Sequence, residues 1–542
     1  MDLKLFENFG ISDCFFLILT IYVAQYYYKY FTRINPLPGP LPFPFVGNLL
    51  HLYLLHKWDT KIFYENNYKK YGDMYEIYLD GRCIILSRAK YVKKLLSPSI
   101  KNSHMMRSPI KEGLEELGVE GRGIVMNNHV KSWKYNRQFF DQSMLTPNFN
   151  YQAVEWVNEL CKEMETCWNN LGENYELDLC KWMHRFTNEI IFKISTGVKN
   201  NSVTYYYNFV LESKNTSKEK KGEIVDESEM FVKSIETYIG GLIYISIFNN
   251  FMLHYVPFIR GKWKGFMENK EYLFDKLLKV VKERKIEIEN TPLDQPLRHD
   301  MLTSYITANT PRDINTVKRS GADLLRPVTD KEIRGMVLDS MLGGTETVAN
   351  LFCYIVYYLG RYPEVKQKVL RELDAVLGKD LTKPVTYEDL NELQYCEAVI
   401  NEVNRHCPVS FWMSRINAER DNIGGYDWPE STLFQMLYSS MMKHKDYWTD
   451  PDKFDPDRFY KIDESDKYLL EKKKEKNVFP MFGGGIRICP GKKLAIIELK
   501  CLMVYFRKYD IQTADINAPL KLKSTFINAV NEFMVKVKPR KF

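Results

Sequence analysis

The stretch Phe479–Leu499, "FPMFGGGIRICPGKKLAIIEL", places three consecutive glycines, an arginine and a cysteine just before an apolar run. Glycines cost backbone entropy, so a cluster of them needs a reason such as close backbone approach. The run after Pro490-Gly491 predicts a helix, with Cys489 immediately before its start. A helix N-terminus and backbone N–H donors lower a thiol's pKa, which suits an anionic metal ligand. Gly485 and Gly491 would let the backbone approach a flat cofactor, and Phe482 would shield the sulfur from water. Arg487 would offer a fork of donors to a carboxylate. Cysteine thiolate is one of the axial ligands of haem iron.

With these residues in place, the stretch resembles the haem-binding signature F-x-x-G-x-R-x-C-x-G of the cytochrome P-450 family, through Phe482, Gly485, Arg487, Cys489 and Gly491. Five fixed positions match by chance about once in three million starts, so a structural cysteine in a glycine loop is the lesser reading.

Other motifs follow in the family's order. "YCEAVINEVNRH" holds Glu402 and Arg405, three apart on a predicted helix face. The pair resembles the family's E-x-x-R helix, and Arg458 of "FDPDRF" would complete a buried Glu-Arg-Arg network. "HVKSWKYNRQFF" holds Trp133 and Arg137, four apart. Alone it reads as an amphipathic surface helix, but it resembles the family's W-x-x-x-R helix. The resemblance implies that Trp133, Arg137, Arg415 and Arg487 meet the two haem propionates.

"TDKEIRGMVLDSMLGGTETVANLFCYIVYYLG" predicts one long helix, opened by a Thr329–Glu332 capping box and limited by Pro363. Gly343 and Gly344 cost roughly 1 kcal/mol each in a helix interior. They mark either close packing or a local kink. The segment resembles the family's [AG]-G-x-[DE]-T-[TS] motif through Gly343, Gly344, Glu346 and Thr347, and departs at Val348. The resemblance implies a cofactor beside Gly344 and proton delivery by Glu346 and Thr347.

The rest of the 542 residues fits that frame. The apolar run Ile11–Phe31 has the length of a bilayer span, and no small-residue cleavage site follows it. Residues 1–33 are therefore expected to be a membrane anchor. Residues 34–47, with five prolines from Pro36 to Pro44, read as a stiff hinge, and residues 48–542 as the catalytic domain. Lys29 and Arg33 after the run put the body in the cytosol. "YGDMYEIYLDGRCIILS" predicts a hairpin turning at Asp80-Gly81. Polar stretches at 211–228, 290–316 and 463–477 are expected to be solvated loops. The net charge of +7 is mild, and no nucleic-acid signature accompanies it. Ten scattered cysteines without a C-x-x-C pair suit a reduced compartment.

The expected fold is mainly α with small β-sheets (α+β). The resemblance implies haem b between the long helix and the cysteine-loop helix, with Cys489 as axial ligand. It implies a monooxygenase at the endoplasmic reticulum membrane, taking electrons from NADPH through a partner flavoprotein, NADPH-cytochrome P-450 reductase, with cytochrome b5 as an optional donor. Lys131, Lys134, Lys492 and Lys493 would form its docking face. A reductase-independent isomerase or dehydratase and a haem sensor are the alternatives, and intact Glu346-Thr347 argues against both. Phe411, Trp412, Met413, Phe526, Ile527, Met105 and Met106 are expected near an apolar substrate.

Overall fold

The computed structural model describes residues 10–79, 81–97, 104–108, 112–144, 147–215, 227–315, 325–460, 478–525 and 527–540. Among the described residues helices dominate, and four small sheets are attached to them. The expected α+β class is therefore the observed one. The large core cluster sits between helices. The helices that position the site are α1 (Ile11–Phe31), α2 (Val130–Met144), α3 (Pro147–Leu171), α4 (Leu179–Thr196), α5 (Glu227–Ile247), α6 (Pro257–Asn290), α7 (Met301–Thr307), α8 (Asp330–Arg361), α9 (Gln394–His406) and α10 (Lys492–Met503).

α8 is the axle. Thr329 caps it, with Glu332 reaching back to the cap, and Pro363 opens the helix that follows. Its apolar residues are buried nearly all round, as a helix enclosed by others requires. It packs on α4, α6, α9 and α10. α8 runs as continuous α-helix through Gly343-Gly344.

The hairpin forms as read, with β1 (Met74–Tyr78) antiparallel to β2 (Arg82–Leu86) around a turn whose Asp80 lies outside the described residues. β2 then pairs in parallel with β5 (Leu433–Leu437), and β5 pairs antiparallel with β4 (Trp412–Ile416). Near the C-terminus, β9 (Met534–Pro539) joins β3 (Glu176–Asp178) to β6 (Tyr509–Thr513), while β7 (Lys521–Ser524) pairs with β8 (Asn528–Glu532).

The proline segment is not a free linker. Leu37 is buried, and the Pro38 carbonyl accepts from the Glu76 amide at 3.0 Å. The buried Glu76 carboxylate is clamped by Arg33 and by Arg82 at 2.6 Å. Packing against β1 thus sets the angle at which α1 leaves the body. No residue of α1 is buried. By length and composition, the helix among the described residues that passes as membrane-crossing is α5, yet Phe231, Ile235, Tyr238 and Ile245 are buried and hold one side of it against the core. The tyrosines that end α1 lower its hydropathy, and tyrosine is enriched where a bilayer meets water.

Two loop expectations meet the structure differently. Within 290–316, α7 buries Met301, Leu302 and Tyr305, so that stretch is corrected to part of the core. Its polar flanks masked three apolar residues. Positions 461–477 and 216–226 lie outside the described residues.

Candidate functional site

The cysteine loop closes on itself before α10. The Cys489 amide donates to the Phe482 carbonyl at 2.9 Å, and Gly491 is the N-cap of α10. Phe482 is half-buried, with the Lys492 ammonium 5.7 Å over its ring. Cys489 is a free thiol whose residue is exposed at the mouth of the loop. The surrounding protein desolvates it and pushes its pKa up. The Gly491 amide, Arg137 and Arg107 pull the other way without prevailing. The sequence expectation of a lowered pKa is thus corrected: the helix start alone does not outweigh desolvation, and a metal must supply the rest.

Gly485 also has a different reason from the expected one. Its φ is +67°, and a Cβ there would meet the carbonyl oxygen of Ser97 at 2.7 Å and that of Leu96 at 2.8 Å. The glycine lets the loop approach another strip of backbone. At Gly491 a Cβ would stand 3.9 Å from the Cys489 sulfur, an ordinary contact.

Arg487 is buried and donates to three carbonyls: Met105 at 3.1 Å, Ile124 at 2.8 Å and Asn127 at 2.5 Å. Its guanidinium lies 4.4 Å over the ring of Trp133, whose indole N–H also donates to Ile124. Arg137 binds Asp141 at 2.8 Å and the Ile488 carbonyl at 2.9 Å, which ties α2 to the residue before the cysteine. Arg415, on β4, is buried and donates to the Ser414 carbonyl.

A fourth cation, Arg107, escaped sequence reading. It donates to the carbonyls of Val125 and Arg487, while its Nε has no partner. Nothing in "MMRSP" announces it, because its partners lie far along the chain. Asp339 escaped as well. It is a buried acid on α8 that accepts from the amides of Ile124 and Val125, in the segment before α2. Its one available signal is a carboxylate on an apolar helix face.

Arg107, Arg137, Arg415 and Arg487 interact electrostatically as one group. Burial first, and then Arg107, Arg415 and Arg137, push Arg487 down to about 7, with Asp339 opposing. Burial pushes Arg107 down to about 10, helped by Arg415. The Tyr438 hydroxyl, beside Arg415 and Arg107, is buried without a partner. So large an excess of buried positive charge is tolerated only with matching anions. A group carrying two carboxylates beside a thiol fits this donor set, and haem with its two propionates is such a group.

On α8, Gly343 and Gly344 differ. A Cβ on Gly344 would strike Ile191 of α4 at 2.6 Å, so close helix packing accounts for this glycine. A Cβ on Gly343 would meet nothing within 4 Å. The Thr347 hydroxyl donates to the Gly343 carbonyl at 2.7 Å. Glu346 is buried, and desolvation pushes its pKa up to about 7, with His184 opposing. Val348 is buried in the core, where the usual Thr or Ser hydroxyl would need a partner.

Behind the cysteine loop, Glu402 and Arg405 pair at 2.7 Å with no exposure of either side chain. Arg458 stands 3.4 Å from Glu402, and the Asp455 amide donates to the same carboxylate. Burial would raise the Glu402 pKa, but hydrogen bonds from Arg405 and His406 hold it below the ordinary value.

Of the expected pocket residues, Met105 is buried in the core, Trp412 and Met413 lie on β4, and two more are core or sheet. Phe411 is fully buried beside Tyr64, and Met106 bridges Ile416. Phe526 lies outside the described residues.

A family model described as "Cytochrome P450" matches residues 37–537. The chain is 24% identical to "Cytochrome P450 3A17" of Cavia porcellus over 529 residues, covering 94% of this chain and 92% of that one. It is 25% identical to "Cytochrome P450 3A7" of Homo sapiens over 500 residues, covering 88% and 86%. It is 22% identical to "Lithocholate 6-beta-hydroxylase" of Mesocricetus auratus over 534 residues, covering 95% and 93%.

Proposed function

The chain belongs to the cytochrome P450 family, and from that premise we propose that this haem-thiolate monooxygenase inserts one atom of dioxygen into a small apolar substrate, using electrons from NADPH through a flavoprotein reductase. The observation that carries the reading is a group of four arginines, of which Arg137 alone has a carboxylate ion pair among the described residues, beside a free cysteine at a helix start.

Haem bound through Cys489 supplies dioxygen activation, and a thiolate ligand favours cleavage of the oxygen–oxygen bond. The chain's own residues do the remaining work. Arg107, Arg137, Arg415 and Arg487 take the charge of two carboxylates. Trp133, fixed by its bond to Ile124, gives Arg487 a flat surface to rest on. Glu346 is balanced near neutrality, so it can both give up and regain a proton. The Thr347 oxygen, whose proton is engaged by Gly343, keeps lone pairs free to hold a water.

α1 is proposed to anchor the protein in the endoplasmic reticulum membrane with the body in the cytosol. Lys131, Lys134, Lys492 and Lys493 are all exposed, and they flank the cysteine on a face suited to an acidic reductase.

The test is spectroscopic. Cys489→Ser is expected to abolish the thiolate-type absorbance of the reduced, carbon monoxide-bound protein. An unchanged spectrum would overturn the ligand assignment. NADPH consumption that needs the reductase separates this reading from a reductase-independent isomerase or dehydratase.

A further inference from the structure

His184 on α4 stands in a row that the reaction as described does not use. Its Nδ1 lies 3.3 Å from Glu236 Oε1 on α5. Its Nε2 lies 3.9 Å from the sulfur of Cys180, one turn earlier on α4. Glu236 is part-exposed and His184 is mostly buried, so the row runs inward from the surface. The Cys180 sulfur sits 3.1 Å from the Val530 carbonyl, to which it donates as a thiol. The Cys353 thiol and then His184 draw the Cys180 pKa down against burial, so Glu236 and Cys180 are the two acids that face His184.

The row ends at α8. α4 and α8 run antiparallel in close contact: Ile191 lies against Gly344, Thr187 donates to the Thr345 carbonyl at 2.6 Å, and Asn188 reaches the Thr345 hydroxyl at 3.2 Å. His184 lies one turn before Thr187 and Asn188 on the same face of α4, and Glu346 follows Thr345. Among the described residues, no side chain hydrogen-bonds the Glu346 carboxyl. Desolvation raises its pKa; of the charges it meets, that of His184 is the largest and acts to lower it, while those of Glu236 and Cys180 act to raise it.

We propose that His184, held between Glu236 and Cys180, is a positioning residue for the oxidation: a fixed positive charge beside Glu346 that keeps this carboxyl able to lose and regain a proton. The inference rests on the role of Glu346 proposed above. Desolvation alone would lock a buried carboxyl in its acid form. Burial likewise opposes a charge on His184, but the bonds to Cys180 and Glu236 outweigh it and its pKa moves up. The other ionisable groups around the row are Arg185 on α4, Lys233 and Glu229 on α5, Cys353 on α8, and Asp178 at the end of β3.

The test uses the full haem-loaded chain, reduced and carbon monoxide-bound. With ¹⁵N-labelled histidine, nuclear magnetic resonance reads both ring nitrogens of His184, assigned by the signal lost in His184→Gln. The infrared carboxyl band that vanishes in Glu346→Gln reads the titration of Glu346. We expect His184 to be doubly protonated at pH 7. In His184→Gln the Glu346 midpoint should rise by about one pH unit or more. His184→Lys, which restores a charge, should return part of that rise, and a merely structural histidine would give no such rescue. A neutral His184 in the unaltered protein at pH 7 would overturn the proposal without any variant. So would an unmoved Glu346 midpoint in His184→Gln. Both readouts are independent of turnover. An unchanged Cys489→Ser spectrum would remove the proposed reaction and leave these titrations standing. A normal thiolate spectrum with unmoved titrations would remove only His184.

Discussion

The guanidinium of Arg487 lies 4.4 Å over the indole of Trp133, and both side chains donate to the same carbonyl, that of Ile124. This shared acceptor joins the cysteine loop, α2 and the segment before α2 at one atom.

Arg487→Lys breaks that joint. A single ammonium cannot replace a planar fork that reaches three carbonyls. We expect the purified variant to keep less than about half of the parent's haem, with stability lowered by about 2–4 kcal/mol. The haem-to-protein absorbance ratio checks the first number and a denaturant titration the second. Full haem retention would show that the three-carbonyl tether is dispensable.

Glu402→Leu leaves Arg405 buried without its carboxylate, and an uncompensated buried charge costs about 3–5 kcal/mol. The double variant Glu402→Leu with Arg405→Met removes both charges and should be less destabilised than the single. Unfolding midpoints of the two decide this. The reverse order would mean that the pair contributes mainly through attraction and not by mutual neutralisation.

Glu498 on α10 is buried with one carboxyl oxygen unpartnered, and burial pushes its pKa up to about 8 from 4.5. The fold thus holds a proton that the unfolded chain releases. The stabilising contribution is complete below about 4.5 and is lost as pH rises through about 8. Glu498→Gln keeps the shape and removes the titration. It should match the parent near pH 4.5 and exceed it at pH 8 by about 1–3 kcal/mol. Parallel stability curves for the two proteins across this range would contradict the assignment.

Thr347→Ala tests the hydroxyl on α8. The Thr347–Gly343 bond lies within an unbroken helix, so its loss should leave haem binding intact. Product formed per NADPH should fall about tenfold or more while hydrogen peroxide rises. A normal product ratio with weakened haem or substrate binding would instead assign Thr347 to helix shape.

The motifs that could be read from the sequence are those whose partners are close in sequence. Thr329 caps the helix three residues ahead of Glu332, and Glu402 meets Arg405 across one turn. Cys489 sits two residues from the Gly491 that starts α10. Spacing brings such residues together, and the family resemblance set Glu402 and Arg405 apart from an ordinary surface pair. The reasons for Gly485 and Gly344 were hidden, because Leu96, Ser97 and Ile191 meet them only in three dimensions. Arg107 was hidden for the same cause, since the carbonyls it binds belong to Val125 and Arg487. The lowered thiol pKa expected at Cys489 failed for a different reason. A helix start can be read from sequence, whereas the depth of protein around a loop cannot.

The parallel pairing of β2 with β5 also fixes an order of events during synthesis. Cys83–Leu86 must wait for Leu433–Met436, some 350 residues later in the chain. At 5–20 residues per second the ribosome takes roughly 20–70 s to supply them. Throughout that interval the nascent chain carries α1 and a hairpin whose β2 edge has no partner, a template for wrong pairing. A chain that stops short of Leu433 would keep that edge open permanently, so truncated products should be far more prone to aggregate than full-length chains with a substitution at the haem site.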